Sequence, residues 1–343
     1  MSTGLKKTIY AYKAYILMAA LGVAAIALIL FITSRFLFDS PLSKHLDNTI
    51  FEVGAGSSLT TISQQLKIQE IFSFPAAFII YVRMRGLERS IQPGEYEITG
   101  STTMTTLLQK MINGDRVQYR ITLVEGWTLK QALEAIWENK LIDRKIRTTD
   151  PKVIARLLEL DIGNAEGMIF PDTYFFTKGA SDISILNRAY SNLQTTLNEA
   201  WGDRLGGLPY SNPYEALIMA SIIEKESSAS SEKGHIAGVF VRRIELGMRL
   251  QSDPTVIYGM KEQYNGDITR NDLEQITPYN TYRINGLPPT PIALAGRESI
   301  LASVNPLQSE YLYFVSKGDG SHYFSVNLEE HNAAVARFRR TIN

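Results

Sequence analysis

The sequence predicts an α+β protein with a single N-terminal transmembrane helix, a small mixed unit after it, and a mostly helical domain with small β units. Three observations lead to this prediction. A long uncharged run opens the chain, apolar residues recur at helical spacing in many later segments, and a few short alternating stretches bounded by turn residues indicate strands. A chain of 343 residues is long enough for two domains.

Composition excludes several functional classes. The hydrophobic fraction of 45% and the charged fraction of 20% are ordinary for a globular protein. Lys+Arg and Asp+Glu both number 35, and this zero net charge argues against a nucleic-acid partner bound by bulk electrostatics. The chain has no cysteine, which excludes disulfides, a thiol nucleophile and a metal site built from cysteine.

Residues 14–34 form an uncharged apolar segment that is predicted to span a membrane. A spanning helix needs about 20 such residues, whereas the apolar core of a signal peptide usually has about 7–15. No small-residue cleavage site follows, because Arg35–Phe38 is bulky, so an uncleaved anchor is favoured over a signal peptide or a buried core helix. Lysines in residues 1–13 favour a cytoplasmic N-terminus, with the rest of the chain on the outer side.

A β-α-α-β-α unit is predicted over residues 49–118, after a short linker at residues 35–48. Such a unit is small for a domain but suits a module beside a larger one. Ser57 or Ser58 is placed to cap its first helix. The predicted elements are a strand at Thr49–Val53, a helix through Leu59, Ile62 and Leu66, a helix near Pro75–Arg85, a strand at Tyr96–Ile98 and a helix at Met104–Met111.

The larger domain is predicted over residues 119–343. Its clearest β signal is a hairpin of two aromatic strands around the glycine-containing turn Lys317–Gly320. The predicted elements are a strand at Tyr119–Val124, a helix from Thr128 to Trp137, helical pieces over Lys152–Leu160, a strand ending at Phe176, helices at Ser184–Trp201, Ala216–Ser228 and His235–Leu246, a helix entered near Gln251–Tyr258, strands at Tyr311–Ser316 and Ser321–Val326, and a last helix capped by Asn327.

The helix predicted over residues 216–228 carries the best candidate for acid–base chemistry. Ile222 and Ile223 belong to an apolar stripe that continues to Glu226, whereas Glu224 lies about 200° around the helix from Glu226. A carboxyl group held against apolar surface loses hydration, which raises its pKa and lets it give up a proton near neutral pH. The alternative is a solvated charge at a frayed helix end, and the residues alone leave both interpretations open.

Two later segments have polar and aromatic side chains of the types that sugar-binding clefts use. In Gln251–Thr255, Asp253 is either a second carboxylate or the cap of a helix, and the following proline favours the cap. Tyr279–Tyr282 and Gly286–Ile292 form a proline-braced loop that carries aromatic and amide groups. An ordinary turn has the same composition, so composition alone does not decide.

Several kinds of site are disfavoured by missing motifs. The four histidines, His45, His235, His322 and His331, lack the spacing of a zinc-binding helix, so a metal site is not expected. The chain also lacks the nucleophile elbow of hydrolases, the phosphate-binding loop and the dinucleotide fingerprint. A hydrolase triad, a nucleotide and a Rossmann cofactor are therefore disfavoured, and no cofactor is expected.

Eight separated segments stand out in the chain: Val124–Gly126, Phe170–Tyr174, Ala220–Glu226, Arg249–Tyr258, Tyr279–Tyr282, Gly286–Ile292, His322–Phe324 and Glu330–Asn332. Taken together and in this order, they resemble the YceG-like family of bacterial endolytic murein transglycosylases. The resemblance covers the chain from about Thr49 to the C-terminus and implies that residues 49–118 are a LysM-like glycan-binding module and residues 119–343 the catalytic domain. Ala293–Gly296 departs from the Asn-Pro-Gly turn expected there, a change expected to loosen that loop.

The resemblance implies that Glu226 is the catalytic acid and base. Such an enzyme cleaves the bond between N-acetylmuramic acid and N-acetylglucosamine in new glycan strands, leaves 1,6-anhydro ends without using water, and so limits strand elongation. The residues expected to hold sugars or to orient Glu226 are Gln251, Asp253, Tyr258, Asn280 and Tyr282. Two alternatives stay open: a cell-wall protein that only binds peptidoglycan, and a muramidase that uses water.

The resemblance also implies where the protein works and with what. The N-terminal anchor would hold it in the bacterial inner membrane, with the catalytic domain in the periplasm. Its expected partners are peptidoglycan glycan strands, the membrane itself and the synthases that polymerise glycan, with no nucleic acid.

Overall fold

A computed structural model of the chain describes residues 3–42 and 48–342. The described residues form thirteen α-helices and three two-stranded sheets, which confirms the predicted mixture of helices with small β units. The chain divides into two compact units, one ending at Tyr119 and one beginning at Arg120. Residues 43–47 of the predicted linker, with His45, lie outside the described residues.

The first unit contains two antiparallel strands and four helices. The strands pair in register, with Thr49 opposite Ile98 and Val53 opposite Gly94. Ser58 caps the second helix by accepting a hydrogen bond from the backbone of Thr61, which confirms one of the two predicted caps. The elements are α1 (Thr3–Asp39), β1 (Thr49–Val53), α2 (Leu59–Ile68), α3 (Pro75–Met84), β2 (Gly94–Ile98) and α4 (Met104–Asn113).

The core of the first unit lies between its small sheet and its helices. Phe51, Phe78 and Tyr96 are completely buried, together with Leu107 and Met111 of α4. Burying a large apolar side chain contributes about 1.5–3 kcal/mol, so these few residues account for much of the stability of a unit this small. The Tyr96 hydroxyl is satisfied because it donates a 2.7 Å hydrogen bond to the carbonyl of residue 92.

Helix α1 does not end where the apolar segment ends. Its residues Tyr12–Asp39 are long and apolar enough to cross a membrane. The linker predicted from residue 35 onward is wrong in its first part, because the helix continues to Asp39, and Phe38 and Leu42 are buried in the core of the first unit. The Phe38 ring stacks on Tyr81 with 4.1 Å between ring centres. The sequence did not show this packing, because Phe38 and Leu42 are separated by Asp39, Ser40 and Pro41 and share no regular apolar pattern.

The second unit is mainly helical. Helices α11 and α12 were not predicted. Helix α11 has only five residues, and the buried face of α12 includes Ser299 and Ser303, which weaken its apolar periodicity. The aromatic hairpin is confirmed with slightly shorter strands, and Tyr313 lies opposite Ser325. The elements, with the strand that leads into this unit, are β3 (Tyr119–Thr122), α5 (Leu129–Glu138), α6 (Pro151–Leu157), β4 (Thr173–Phe176), α7 (Asp182–Gly202), α8 (Pro213–Glu226), α9 (Ser230–Glu245), α10 (Asp253–Met260), α11 (Arg270–Glu274), α12 (Arg297–Val304), β5 (Tyr313–Ser316), β6 (His322–Ser325) and α13 (Leu328–Ile342).

Helix α8 is the centre of the second unit. Its start is set by Asn212, whose side chain accepts a hydrogen bond from the backbone of Glu215, and by Pro213 in the first turn. Every residue of Ala216–Ile223 is buried, and α7, α9, α10 and α12 all contact the helix. The sequence predicts a single apolar stripe, but a helix that is apolar on all sides is stable only when it is enclosed on all sides.

The loop that was expected to be loose is tightly held. Ala293, Leu294 and Ala295 are completely buried. The backbone N–H of Gly126 donates a 2.9 Å hydrogen bond to the Leu294 carbonyl, and the Leu294 N–H donates a 2.7 Å hydrogen bond to the Trp127 carbonyl. Small apolar side chains let this segment pass through the interior without a proline-containing turn.

The position of Phe38 can be tested by truncating its side chain. We expect Phe38→Ala to destabilise the first unit by about 3 kcal/mol, because it removes a buried aromatic ring and leaves a cavity. The measurement is thermal unfolding of the full chain in detergent. Phe36→Ala is the matched control, since Phe36 is 77% exposed. Equal effects of the two substitutions would show that residues 35–42 are a linker after all.

Candidate active site

Glu226 is the last residue of α8 and is partly buried. One of its carboxylate oxygens accepts a 2.5 Å hydrogen bond from the hydroxyl of Ser252. The pKa of Glu226 is raised from 4.5 to about 7, mainly because the carboxyl loses hydration and also because Asp253 is a nearby negative charge. The Ser252 hydrogen bond and the charge of Arg243 act in the opposite direction. The raised pKa predicted from the apolar stripe is therefore present, and this carboxyl exchanges a proton near neutral pH.

Ser252 is held in place by two buried threonines. The Ser252 backbone N–H donates a 2.9 Å hydrogen bond to the Thr281 hydroxyl, and the Thr255 hydroxyl donates a 2.7 Å hydrogen bond to the Ser252 carbonyl. The two threonine hydroxyls also bond to each other at 2.9 Å. Because all three residues are buried, the serine hydroxyl has a fixed position from which it contacts Glu226.

A pocket of about 480 Å³, here called the hairpin pocket, opens on one side of Glu226. Strand β5 and the start of β6 form part of its wall, opposite the loop that leads into α10. Its lining is rich in charged, amide and aromatic side chains, which suits a hydroxyl-rich ligand with apolar ring faces. The residues of interest in this lining are Arg243, Gln251, Asp253, Tyr282, His322 and His331.

A second pocket, here called the Trp127 pocket, has a volume of about 580 Å³ and also includes Glu226 in its lining. Trp127 provides an aromatic surface, and Glu125 and Gln131 provide polar groups. The pKa of Glu125 is raised, mainly by burial and then by the charge of Glu224. Glu226 therefore lies where two pockets meet.

Glu224 has an environment unlike that of Glu226. Its side chain is only 5% exposed and forms an ion pair with Lys233 at 3.0 Å. It also accepts hydrogen bonds from the Ser299 hydroxyl at 2.6 Å and from the Gly296 backbone at 2.9 Å. The predicted separation of the two acids around the helix is present, but Glu224 points to a buried partner rather than to water. Its lone pairs are used in holding α8, α9 and α12 together.

Three of the five residues predicted to bind sugars line the hairpin pocket: Gln251, Asp253 and Tyr282. The Tyr282 hydroxyl donates a 2.6 Å hydrogen bond to the Asp253 carboxylate. Asp253 begins α10, but Ser252 is the residue that precedes the helix, so the interpretation of Asp253 as the cap is wrong. Gln251 has a φ of 54°, a left-handed backbone conformation that side chains rarely adopt.

The other two predicted residues, Asn280 and Tyr258, lie outside the lining of this pocket. Asn280 is 1% exposed, and its amide nitrogen donates to three backbone carbonyls while its oxygen accepts from the Tyr282 backbone at 2.9 Å. The Tyr258 hydroxyl donates a 3.1 Å hydrogen bond to Glu166, and its ring packs edge-on against Tyr279. Both side chains brace the loop, since their polar atoms already have partners in the protein.

Arg243 is a residue of the site that the sequence did not reveal. It is 7% exposed, and burial lowers its pKa. Its guanidinium donates 2.7 Å hydrogen bonds to the carbonyls of Leu312 and Leu250 and contributes to the lining of the hairpin pocket. The available signal is that Arg243 continues the stripe of Ile236 and Phe240 on α9, in the way that Glu226 continues the stripe on α8.

Two histidines from successive elements, His322 of β6 and His331 of α13, both line the hairpin pocket. His322 forms a 2.7 Å contact through Nδ1 with Glu232, and the His331 ring stacks on Tyr313 at 5.1 Å. Burial lowers the pKa of His331, and the charge of Arg243 adds to this effect. Over the described residues, no three acidic or histidine side chains are grouped to hold a metal ion.

Comparison with known proteins gives one consistent result. The sequence model of a family described as the YceG-like family matches residues 51–337. A relative from Bacillus subtilis, named an endolytic murein transglycosylase, is 29% identical over 316 residues, which cover 87% of each chain. A relative of the same name from Streptococcus pneumoniae is 24% identical, and the aligned region covers 82% of this chain but 56% of that protein.

A solved structure extends the comparison to the fold. The crystal structure of a YceG-like protein from Listeria monocytogenes is 31% identical in sequence and superposes with a TM-score of 0.52. The match covers 84% of this chain and 99% of the other. The similarity therefore extends through both units and is not confined to the surroundings of Glu226.

The buried ion pair can be tested with a mutant cycle. We expect Glu224→Gln to destabilise the second unit by about 3–5 kcal/mol, because it leaves the Lys233 ammonium buried without its counter-charge. The double variant Glu224→Gln/Lys233→Met should recover much of this loss, since no charge then remains buried. Thermal unfolding of the full chain measures both, with Lys225→Met as an exposed control. Equal stability of the single and double variants would contradict the ion pair.

Glu226→Gln should change stability in a pH-dependent way. The pKa of Glu226 is higher in the folded protein than its ordinary value of 4.5. The contribution of this carboxyl to the free energy of unfolding is therefore fully present below about pH 4.5 and is lost as the pH rises through about 7. Glutamine stays neutral, so the variant should match the parent near pH 4 and be more stable at pH 8, by up to about 3 kcal/mol. Melting temperatures across this range measure the difference, and a constant difference would contradict the raised pKa.

Proposed function

The chain belongs to the YceG-like family, and we propose that it is an endolytic murein transglycosylase anchored in a membrane by α1. The relatives named for this activity align with most of the chain. The observation that carries the proposal is the carboxyl of Glu226, whose pKa is raised to about 7 and which lies where two pockets meet. A group that is half protonated near neutral pH can act first as an acid and then as a base.

The proposed reaction begins with proton donation. Protonated Glu226 gives its proton to the oxygen that joins N-acetylmuramic acid to N-acetylglucosamine, and the bond from that oxygen to the anomeric carbon breaks. The muramyl ring becomes an oxocarbenium ion, and the leaving sugar keeps the proton as a new hydroxyl group. The Glu226 carboxylate that remains is accompanied by the positive charge of Arg243, whose influence on its pKa favours the anion.

The proposed second step closes a ring without water. The C6 hydroxyl of the muramyl residue bonds to its anomeric carbon, and its proton passes to the Glu226 carboxylate. The product is a 1,6-anhydro end, and the enzyme returns to its starting protonation state. One carboxyl group is sufficient for this sequence, whereas glycosidases that use water normally need a pair.

The arrangement of the pockets supports cleavage inside a strand. An internal bond has sugars on both sides, so an endolytic site needs room in two directions from its acid. Gln251, Asp253 and Tyr282 are the proposed sugar-binding residues of the hairpin pocket, and Trp127 offers an aromatic face in the other pocket. We assign Asn280 and Tyr258 the indirect role of holding the loop, because both are already committed to protein partners.

The proposed location follows from α1. Its length and composition suit a single membrane crossing, and the burial of Phe38 in the first unit supports an anchor that is not removed, because cleavage after the span would disrupt that core. Lys6, Lys7 and Lys13 favour a cytoplasmic N-terminus, which would place the catalytic unit in the periplasm. There the first unit, as a LysM-like module, would bind glycan strands near the synthases that make them.

A second candidate is a muramidase that uses water. The observation in its favour is that Asp253 lies in the same pocket as Glu226, so a second carboxylate is available to activate water.

Digestion of purified glycan strands tests the proposal. We expect the full chain to produce 1,6-anhydro ends, identified by mass spectrometry as one water lighter than reducing ends. Glu226→Gln should lower the rate at least about 10²-fold, the range lost when a general acid is removed. The rate should fall as the pH rises through about 7, because donation requires protonated Glu226.

The products distinguish the alternatives. Reducing ends would overturn the ring-closing step and favour the muramidase. Binding of glycan without any cleavage by folded protein would favour a purely binding role. Asn212→Ala is a useful control, because it weakens the start of α8 far from the two pockets. It should lower the stability of the protein without changing whether the glycan products have anhydro or reducing ends.

A further inference from the structure

Helix α3 is unusually apolar for a helix on the surface of a small unit. Eight of the ten residues in Pro75–Met84 are Ala, Phe, Ile, Tyr, Val or Met, yet only Phe78 and Val82 are buried. At about 1.5 Å per residue the helix is roughly 15 Å long, which is half the thickness of the hydrocarbon layer of a membrane. It is therefore too short to cross a bilayer and too apolar to be explained by the core that it covers.

The exposed face of α3 carries an apolar stripe with the exposed Arg83 beside it. Ala76, Ile80 and Met84 follow one another at intervals of four residues, and Phe74 lies just before the helix. Phe74 is 56%, Ile80 57% and Met84 84% exposed. An apolar surface of this kind is expected where another apolar phase covers it.

The stripe lies close to the end of α1. Tyr81 of α3 stacks on Phe38 of α1, with 4.1 Å between the ring centres. Phe72 lies 5.4 Å from Phe38, and Phe74 lies 6.0 Å from Phe72. The Thr105 hydroxyl also donates a 2.7 Å hydrogen bond to Asp39 at the last residue of α1. A row of rings therefore leads from the end of the apolar helix to the start of the exposed stripe.

Basic side chains border this region. The Arg85 guanidinium lies over the Tyr81 ring at 4.3 Å, and Arg83 forms a 3.3 Å ion pair with Glu88. Arg89 follows and is exposed. Three arginines against one glutamate give the segment a net positive charge beside its apolar stripe. Aromatic rings and arginines around an apolar face are typical of helices that lie in the headgroup region of a membrane.

We propose that α3 is an interfacial helix, with Phe74, Ile80 and Met84 inserted into the outer surface of the bilayer that α1 crosses. Anionic lipid headgroups are its partner, and Arg83, Arg85 and Arg89 are the groups that contact them. The inference rests on the proposed membrane anchoring and extends it to a second contact with lipid. The lipid surface is assigned because the stripe adjoins the end of α1 through packed rings, so the two apolar surfaces lie near the same level of the membrane.

Site-directed spin labelling of the full chain tests this inference, and the absence of native cysteine makes single labels straightforward. The variants are Ile80→Cys and Met84→Cys on the stripe, Gln64→Cys on the exposed face of α2, and Leu21→Cys within the span. Each carries a nitroxide and is reconstituted in vesicles of phosphatidylcholine and phosphatidylglycerol. Collisions with oxygen report lipid exposure, and collisions with a water-soluble nickel complex report water exposure.

We expect the labels at Ile80 and Met84 to show a several-fold higher ratio of oxygen to nickel collisions than the label at Gln64. Water-like values at Ile80 and Met84, with lipid-like values at Leu21, would overturn the docking of α3 while leaving the anchor intact. Water-like values at Leu21 would overturn the anchoring on which the inference rests. Protection of Met84 only after glycan strands are added, or spin–spin broadening between copies, would assign the stripe to glycan or to a second chain and overturn the lipid contact.

Discussion

Complete enclosure of α8 is the constraint on which the second unit depends. Eight consecutive residues of this helix, Ala216–Ile223, are buried, so the surrounding helices enclose it along this run. The helix emerges from the core only in its last turn. The first charge after this buried run, Glu224, pairs inside the protein with Lys233, and the last residue of the helix, Glu226, lines both pockets. Glu226 is therefore positioned by the packed core that encloses α8.

The pKa of Glu226 is set by opposing effects that leave it at about 7. Loss of hydration and the charge of Asp253 disfavour the anion, and the carbonyl groups at the end of α8 add partial negative charge of the same sign. Ser252 and Arg243 favour the anion and keep the pKa from rising further. Ser252 acts through a single hydroxyl whose own position is set by Thr255 and Thr281. A network of small buried residues thus supports the carboxyl of Glu226 without covering it.

Local sequence signals predicted most elements of the fold and the different environments of Glu226 and Glu224, because caps, turns and periodicity act over only a few residues. They did not predict α11, which has only five residues, or α12, whose buried face includes two serines. They also did not predict the partners of Glu224, since helical phase gives the direction of a side chain but not the residue that it contacts. Asn280 shows the same limit. Its amide side chain is of a type that binds sugars, yet in the folded loop the amide nitrogen donates to backbone carbonyls. These hydrogen bonds depend on the folded conformation of the loop, which no local sequence pattern specifies.

In the proposed membrane-anchored protein, the packing of Phe38 and Leu42 links folding of the first unit to insertion of α1. These residues complete a core whose other members come from later in the chain, so that core closes only after the end of α1 has reached its final place. A chain whose apolar helix failed to insert would have to fold this core beside an unshielded apolar segment, which favours aggregation and recognition by proteases. A stable, long-lived protein therefore depends on correct insertion of α1.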